Sequence, residues 1–313
     1  APTLQTTWSA AMQDYNASAP GLPTPAPRVF QDQTLRQAMR VSVGGTAVRV
    51  LVSNLFGQQP LVLAAVHIAR HAGGTSIDPV TDTPLSFGGQ RTVTVPAGAE
   101  RWSNEVAFDL PARSSVAVSV HVDRPAAAAT WHAGAFQRGG IVAGNALSAP
   151  ALAEAEETLS VHWISRIDVR TAPAGGVVVA FGDSITEGAL STIDANRRYP
   201  DVLDQRVSES AQLPGVAVVQ AGLGGNRLLQ DGFGPRALDR YQRDVLDVTG
   251  VRAVVVQLGI NDLHAVNAGI GPAVGAEELI KGLSELVRRG HAAGVRVWLS
   301  TLPPCRGHGY ATE

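Results

Sequence analysis

The chain has 313 residues, 45% apolar and 17% charged, which is enough for a large core and two domains and excludes a disordered chain. Lys and Arg number 25 against 27 Asp and Glu, a net charge of −2, without the basic excess of a phosphate-tracking nucleic-acid binder. A single cysteine, Cys305, excludes an internal disulfide framework and a cysteine-cluster metal site. In chain order, the opening Ala1-Pro2 fits an end left by removal of a secretory leader, and a secreted, extracellular protein is expected. Met39, Val41 and Val43 then alternate before Gly44-Gly45, and Val48, Val50 and Val52 alternate after it, which predicts a hairpin. Val93 and Val95, then Val106, Phe108 and Leu110, then Val116 to Val122 by twos, continue the period of half-buried strands. Residues 125–129 read as a loop or short helix, and 150–157 as a turn of surface helix. Many short strands with almost no helical period predict an all-β jelly-roll or sandwich domain over residues 1–172.

The texture changes after residue 172. Val177–Val179, Val216–Val219 and Val254–Val256 are solid apolar runs, as strands covered on both faces require, and Val295–Leu299 is a fourth, interrupted by Arg296. Helical spacing falls between them. Leu279, Ile280, Leu283, Leu286 and Val287 mark one helix, ended by Gly294. Leu238, Tyr241 and Val245 mark another, and Tyr199–Val207 a third. Alternating strands and helices with right-handed crossovers predict an α/β domain over residues 173–313. Its parallel sheet, flavodoxin-like in kind, would carry helices on both faces.

Ligands of such sheets bind beyond the carboxyl ends of the strands, so the residues just after each run carry the chemistry. The first run leads into Gly182-Asp183-Ser184-Ile185-Thr186-Glu187-Gly188, a hydroxyl on a tight turn. The second leads into Gly222-Leu223-Gly224-Gly225-Asn226-Arg227, backbone N–H groups with no side chain in the way. The third leads into Gly259-Ile260-Asn261-Asp262, an amide donor. A nucleophile with convergent donors suits acyl transfer, because charge develops on the carbonyl oxygen.

These three blocks, in this order, resemble those of the SGNH hydrolases, also called GDSL esterases and lipases, and the segments Arg197-Arg198-Tyr199-Pro200 and Asn226-Arg227-Leu228-Leu229 also resemble a secreted bacterial branch with an N-terminal β-domain. The resemblance covers residues 173–313. It implies Ser184 as nucleophile, with an oxyanion hole made by the backbone N–H groups of Ser184 and Gly225 and the side chain of Asn261. It implies no metal and no cofactor. The implied substrate is a carboxylic ester, either an acylated glycan such as acetylated polysaccharide or a lipid or short-chain acyl ester.

One block of the family is missing. The family places Asp and His three positions apart near its C-terminus, and no Asp in this chain has His at the third following position. A further helix, strand and final helix are expected past Glu313. The general base and its Asp are therefore expected on a second fragment or chain. His264 and His308 follow the third and fourth runs but match no motif. His67 and His71 have helical i, i+4 spacing without a metal-site context. Two alternatives remain at this level: a lipase or phospholipase-type acylhydrolase, and a catalytically incomplete carbohydrate-binding relative. A nucleotide-binding protein would need a Gly-Lys-Ser/Thr phosphate loop, which the chain lacks.

Overall fold

A computed structural model describes residues 1–17, 25–267, 269 and 271–304. The main strands of the first part are β1 (Thr3–Ser9), β2 (Gln33–Arg40), β3 (Gly45–Ser53), β4 (Ala65–Gly73), β5 (Ser115–Val122), β6 (Thr130–His132), β7 (Gly139–Ala143) and β8 (Ile164–Thr171). The second part contains β9 (Gly176–Gly182), β10 (Val216–Gly222), β11 (Val251–Gln257) and β12 (Arg296–Leu299). Its helices are α1 (Ser184–Glu187), α2 (Tyr199–Ser208), α3 (Ala237–Tyr241), α4 (Ile260–His264) and α5 (Ala276–Ala292). Among the described residues no helix is long and apolar enough to cross a membrane.

The first part is all-β. One antiparallel sheet runs β1–β8–β3, with Glu100–Trp102 and Val106–Leu110 also pairing to β3. The other runs β7–β2–β5–β4, extended by Glu156–Thr158 on β7 and two short strands on β4. Inward residues of both sheets meet in one core: Val48, Val50 and Val52 from β3, Ile167 and Val169 from β8, Leu35 and Met39 from β2, and Val116, Val118 and Val120 from β5. The alternation read in the sequence is this inward set.

The predicted hairpin does not form. β2 pairs with β5 and β7, whereas β3 pairs with β8 in the opposite sheet. Residues 41–44 carry the chain from one sheet to the other, held where Val41 N–H donates to Ser114 O (2.9 Å) and Ser42 N–H donates to Thr7 O (2.9 Å). Within 125–129, Ala126–Ala127 is a short strand on Val29–Phe30 rather than a helix. No helix forms over 150–157; Glu156–Thr158 pairs with Gly139–Ile141. His67 and His71 lie on strand β4, where His67 Nδ1 is 3.0 Å from Asp82 and His71 Nε2 is 2.8 Å from Gly74 O.

In the second part all four apolar runs are strands of one parallel sheet, ordered β10–β9–β11–β12. The three predicted helices form as α2, α3 and α5, and α3 continues into a π-helical turn over Gln242–Leu246. Tyr241, Val245, Leu279 and Leu286 cover one face, packing with Val177, Val179, Phe181, Val254 and Val256. The opposite face is less fully covered than a solid apolar run predicts. Val178 and Val255 are half-buried and Trp298 is 46% exposed.

The two parts are joined along β10, an edge strand. An edge presents unpaired backbone groups that must be covered or solvated. Here side chains of the first part cover them: Ser42 Oγ accepts from Val218 N–H (3.0 Å) and Ser9 Oγ donates to Gln220 O (2.7 Å). Gln5 bridges the start of the sheet, donating to Gly215 O (2.8 Å) and accepting from Gly176 N–H (3.1 Å). Gln5→Ala would leave both backbone groups without these partners at a site where Gln5 is 1% exposed. The expected cost is about 2 kcal/mol in denaturant unfolding, the scale of an unmade buried hydrogen bond.

Candidate active site

Each of the three blocks sits at the carboxyl end of its strand. Ser184 opens α1 directly after β9, Gly225 lies in the turn after β10, and Asn261 is in α4 directly after β11. β9 is hydrogen-bonded to both β10 and β11, so the three ends are neighbours. Ser184, Gly225 and Asn261 are half-buried, while the adjacent Asp183, Asn226 and Asp262 are buried. At each strand end one residue faces outward and its neighbour holds the loop.

The holding contacts are specific. Asp183 caps α1, its Oδ1 accepting from Ile185 N–H at 2.9 Å. Asp262 accepts from Leu228 N–H (2.8 Å) and Leu229 N–H (3.0 Å), which fixes the segment after Gly225. Asn226 donates through Nδ2 to Pro235 O at 2.8 Å. Asn261 Nδ2 donates to Asn226 O at 3.0 Å, tying the third block to the second. An amide NH₂ has two hydrogens, so this bond orients the group and leaves one donor.

Arg240 lies beneath these ends with its side chain fully buried. It donates to Gly182 O (2.7 Å), Ala221 O (2.9 Å), Asn226 Oδ1 (2.9 Å) and Asp244 Oδ2 (3.0 Å), and stacks over Phe181 at 4.2 Å. Burial lowers its pKa to about 10, against the opposing pull of Asp244, so it stays charged at neutral pH.

Gly225 has φ of +65°, a conformation favouring glycine, and a Cβ there would run into the ring of Phe233. Beside it opens a cleft of about 410 Å³, walled by Gly224, Gly225 and Phe233 on one side and by Gly134, Phe136 and Leu159 of the first part on the other. The sequence reading missed this second wall, because no motif marks Gly134, Phe136 or Leu159. It also passed over Glu187, a buried carboxyl inside the first block, and its neighbour His132.

No histidine is hydrogen-bonded to Ser184 Oγ among the described residues. His264 lies on α4 at the same sheet edge, half-buried and engaged in a contact of its own. His308 and Cys305 lie outside the described residues. Among the described residues no three His, Cys, Asp or Glu side chains group as metal ligands would.

Residues 180–313 match the GDSL-like Lipase/Acylhydrolase family. No curated protein matches the chain. Among solved structures it is similar to an acetyl xylan esterase, AlAXEase, at 23% identity over 39% of this chain and 56% of that one, with a TM-score of 0.30. It is similar to AlinE4, an SGNH-hydrolase family esterase, at 23% identity over 45% of this chain and 66% of that one, with a TM-score of 0.34. A family two carbohydrate esterase from Cellvibrio japonicus aligns over 99% of this chain and 82% of its own, at 12% identity and a TM-score of 0.34. The chain thus spans less than two thirds of the length of the first two.

Burial pushes the Asp183 carboxyl up to about 6, from an ordinary 3.8. A raised acid pKa favours the folded state below the ordinary value, and that advantage is lost as pH rises through about 6. Asp183→Asn keeps an acceptor for Ile185 N–H and removes the buried charge. The variant should match the wild type near pH 4 and exceed it by about 1–3 kcal/mol at pH 8, checked by denaturant unfolding at both pH values.

Proposed function

We propose that this chain, whose residues 180–313 match the GDSL-like Lipase/Acylhydrolase family, is a carboxylic ester hydrolase that works as a serine esterase through an acyl-enzyme on Ser184. The supporting observation is the pinned convergence of three strand ends, each presenting one half-exposed group beside a buried one. In this reading Ser184 Oγ attacks the ester carbonyl carbon and its proton passes to a histidine. The Ser184 and Gly225 N–H groups and the free Asn261 amide hydrogen receive the oxyanion. The tetrahedral intermediate collapses with loss of the alcohol, which takes the proton from the histidine. Water then attacks the acyl-enzyme by the same route and frees Ser184.

The histidine is proposed to come from a second fragment or chain carrying Asp-x-x-His. The substrate is proposed to be an acetylated polysaccharide or a short-chain acyl ester, met outside the cell. The supporting feature is the cleft beside Gly225, whose far wall belongs to the β-rich part, read here as a jelly-roll-type accessory domain over residues 1–172. Comparison of acetylated xylan with short- and long-chain p-nitrophenyl esters tests this. Activity confined to long acyl chains would favour the lipase reading instead.

Two variants test the roles. Ser184→Ala should abolish labelling by a fluorophosphonate probe in the assembled enzyme, and persistent labelling would remove Ser184 from the reaction. Asn261→Ala should lower kcat on the order of 10²–10³-fold, the usual cost of one oxyanion donor, and a near-normal kcat would remove Asn261 from that role.

A further inference from the structure

Helix α1 is a single turn with Ser184 at its start and Glu187 at its end. The two side chains face different surroundings: Ser184 is half-buried at the sheet edge, whereas Glu187 is only 5% exposed. The Glu187 carboxyl is clasped from two sides by glycines. A Cβ on Gly134, in the β-rich part, would lie 2.8 Å from Glu187 Cδ and Oε1. A Cβ on Gly224, in the turn before Gly225, would lie 2.8 Å from Glu187 Oε2. Neither flank has room for a side chain without displacing the carboxyl. The backbone N–H of Gly224 favours the charged form of the carboxyl, and His132 Nε2 lies 3.6 Å from Oε1. His132 Nδ1 is 2.8 Å from Ala11 O, a contact that sets the ring with Nε2 toward Glu187.

Burial raises the Glu187 pKa, opposed first by His132 and next by the Gly224 N–H. Capping α1 does not account for so costly a placement, since Asp183 already does that. The carboxyl instead joins the helix that begins with Ser184, the glycine turn that carries Gly225, and β6 of the first part.

We propose that Glu187 is a positioning residue that fixes the Gly224–Gly225 turn relative to Ser184, itself held from the β-rich part by His132. Its catalytic consequence rests on the esterase reading; its structural content does not. In the proposed reaction the Gly225 N–H must meet the oxygen as charge develops, and a displacement of about 1 Å in such a group can cost on the order of 10²-fold in rate.

The test has two arms, amide hydrogen exchange at Gly224 and the rate of fluorophosphonate labelling at Ser184 in the assembled enzyme. Glu187→Ala should speed Gly224 exchange at least about tenfold and slow labelling roughly 10–100-fold. Glu187→Gln, which keeps an acceptor for the Gly224 N–H, should bring both within about threefold of wild type, a recovery not expected if charge alone mattered. Unchanged Gly224 exchange in a folded Glu187→Ala protein overturns the proposal. If that variant does not fold, Gly134→Ala decides, because its added methyl meets the carboxyl from the other side: faster Gly224 exchange supports the proposal and unchanged exchange overturns it. Unlabelled wild-type protein would overturn the esterase reading, and the exchange arm would still decide the role of Glu187.

Discussion

The buried guanidinium of Arg240 is the constraint on which the site depends. Taking a full positive charge out of water is costly, and it is tolerated only where its donors are met. Arg240 meets Gly182 O and Ala221 O, backbone carbonyls at the carboxyl ends of two adjacent parallel strands, and Asn226 Oδ1 in the loop beyond. A planar fork with several fixed donors can bind all three at once; a lysine ammonium could not span them in the same way. Asp244 supplies the counter-charge and also binds Arg243, whose guanidinium donates to Met12 O in the first part. One chain of charge and hydrogen bonds therefore runs from beneath Ser184 to the β-rich part.

That continuity bears on how the two parts relate. A parallel sheet ending in an exposed edge strand invites pairing with another chain. β10 is such an edge, and its outward groups at Val218 and Gln220 are met by serine hydroxyls rather than by a further strand. Ser42 also binds Asp204 of α2, so the first part grips a helix as well as the edge. Arg166 of β8 adds bonds to Asp247 O (2.6 Å) and Arg243 O (3.2 Å) after α3. These contacts are polar and directional, which fixes a relative orientation more narrowly than an apolar interface of equal area would.

Much of this was legible in the sequence because it follows local rules. The runs beginning at Val177, Val216 and Val254 are continuous because these parallel strands are largely buried, whereas the run at Val295 forms its strand with Trp298 and Leu299 exposed, and the motif-bearing residues follow at the carboxyl ends by topology alone. The failures came where tertiary pairing overrode local pattern. Two alternating segments around Gly44-Gly45 looked like a hairpin, yet alternation reports only that one side of a strand is buried, not which strand it joins. The alanines at 126–127 favour helix in isolation, but pairing with Val29–Phe30 decides their state. His67 and His71 keep to one side of a strand as readily as of a helix, since four residues is an even step. Glu187 and His132 are 55 positions apart in the chain, and nothing in their spacing announces that one is buried against the other.

The cleft beside Gly225 shows what the first part adds to the chemistry proposed here. Phe136 stands on that wall with φ of +53°, a conformation a bulky side chain rarely adopts without external support. The support comes from the loop that follows α1. Asp194 N–H donates to Phe136 O (3.0 Å), Arg138 N–H donates to Asp194 Oδ1 (2.7 Å), and Gln137 Nε2 donates to Asn196 Oδ1 (2.8 Å). The wall is thus fastened to the segment that leaves the serine helix, not merely laid beside it. Phe233, on the other wall, rests against Gly225 itself, where any side chain would collide with the ring. Both aromatic groups are therefore indexed to the residues proposed to hold the reacting carbonyl. A substituent on the ester that reached this cleft would be measured against walls set from both parts of the chain. Selectivity would then change with residues 133–138 even where every group proposed to touch the carbonyl stayed the same.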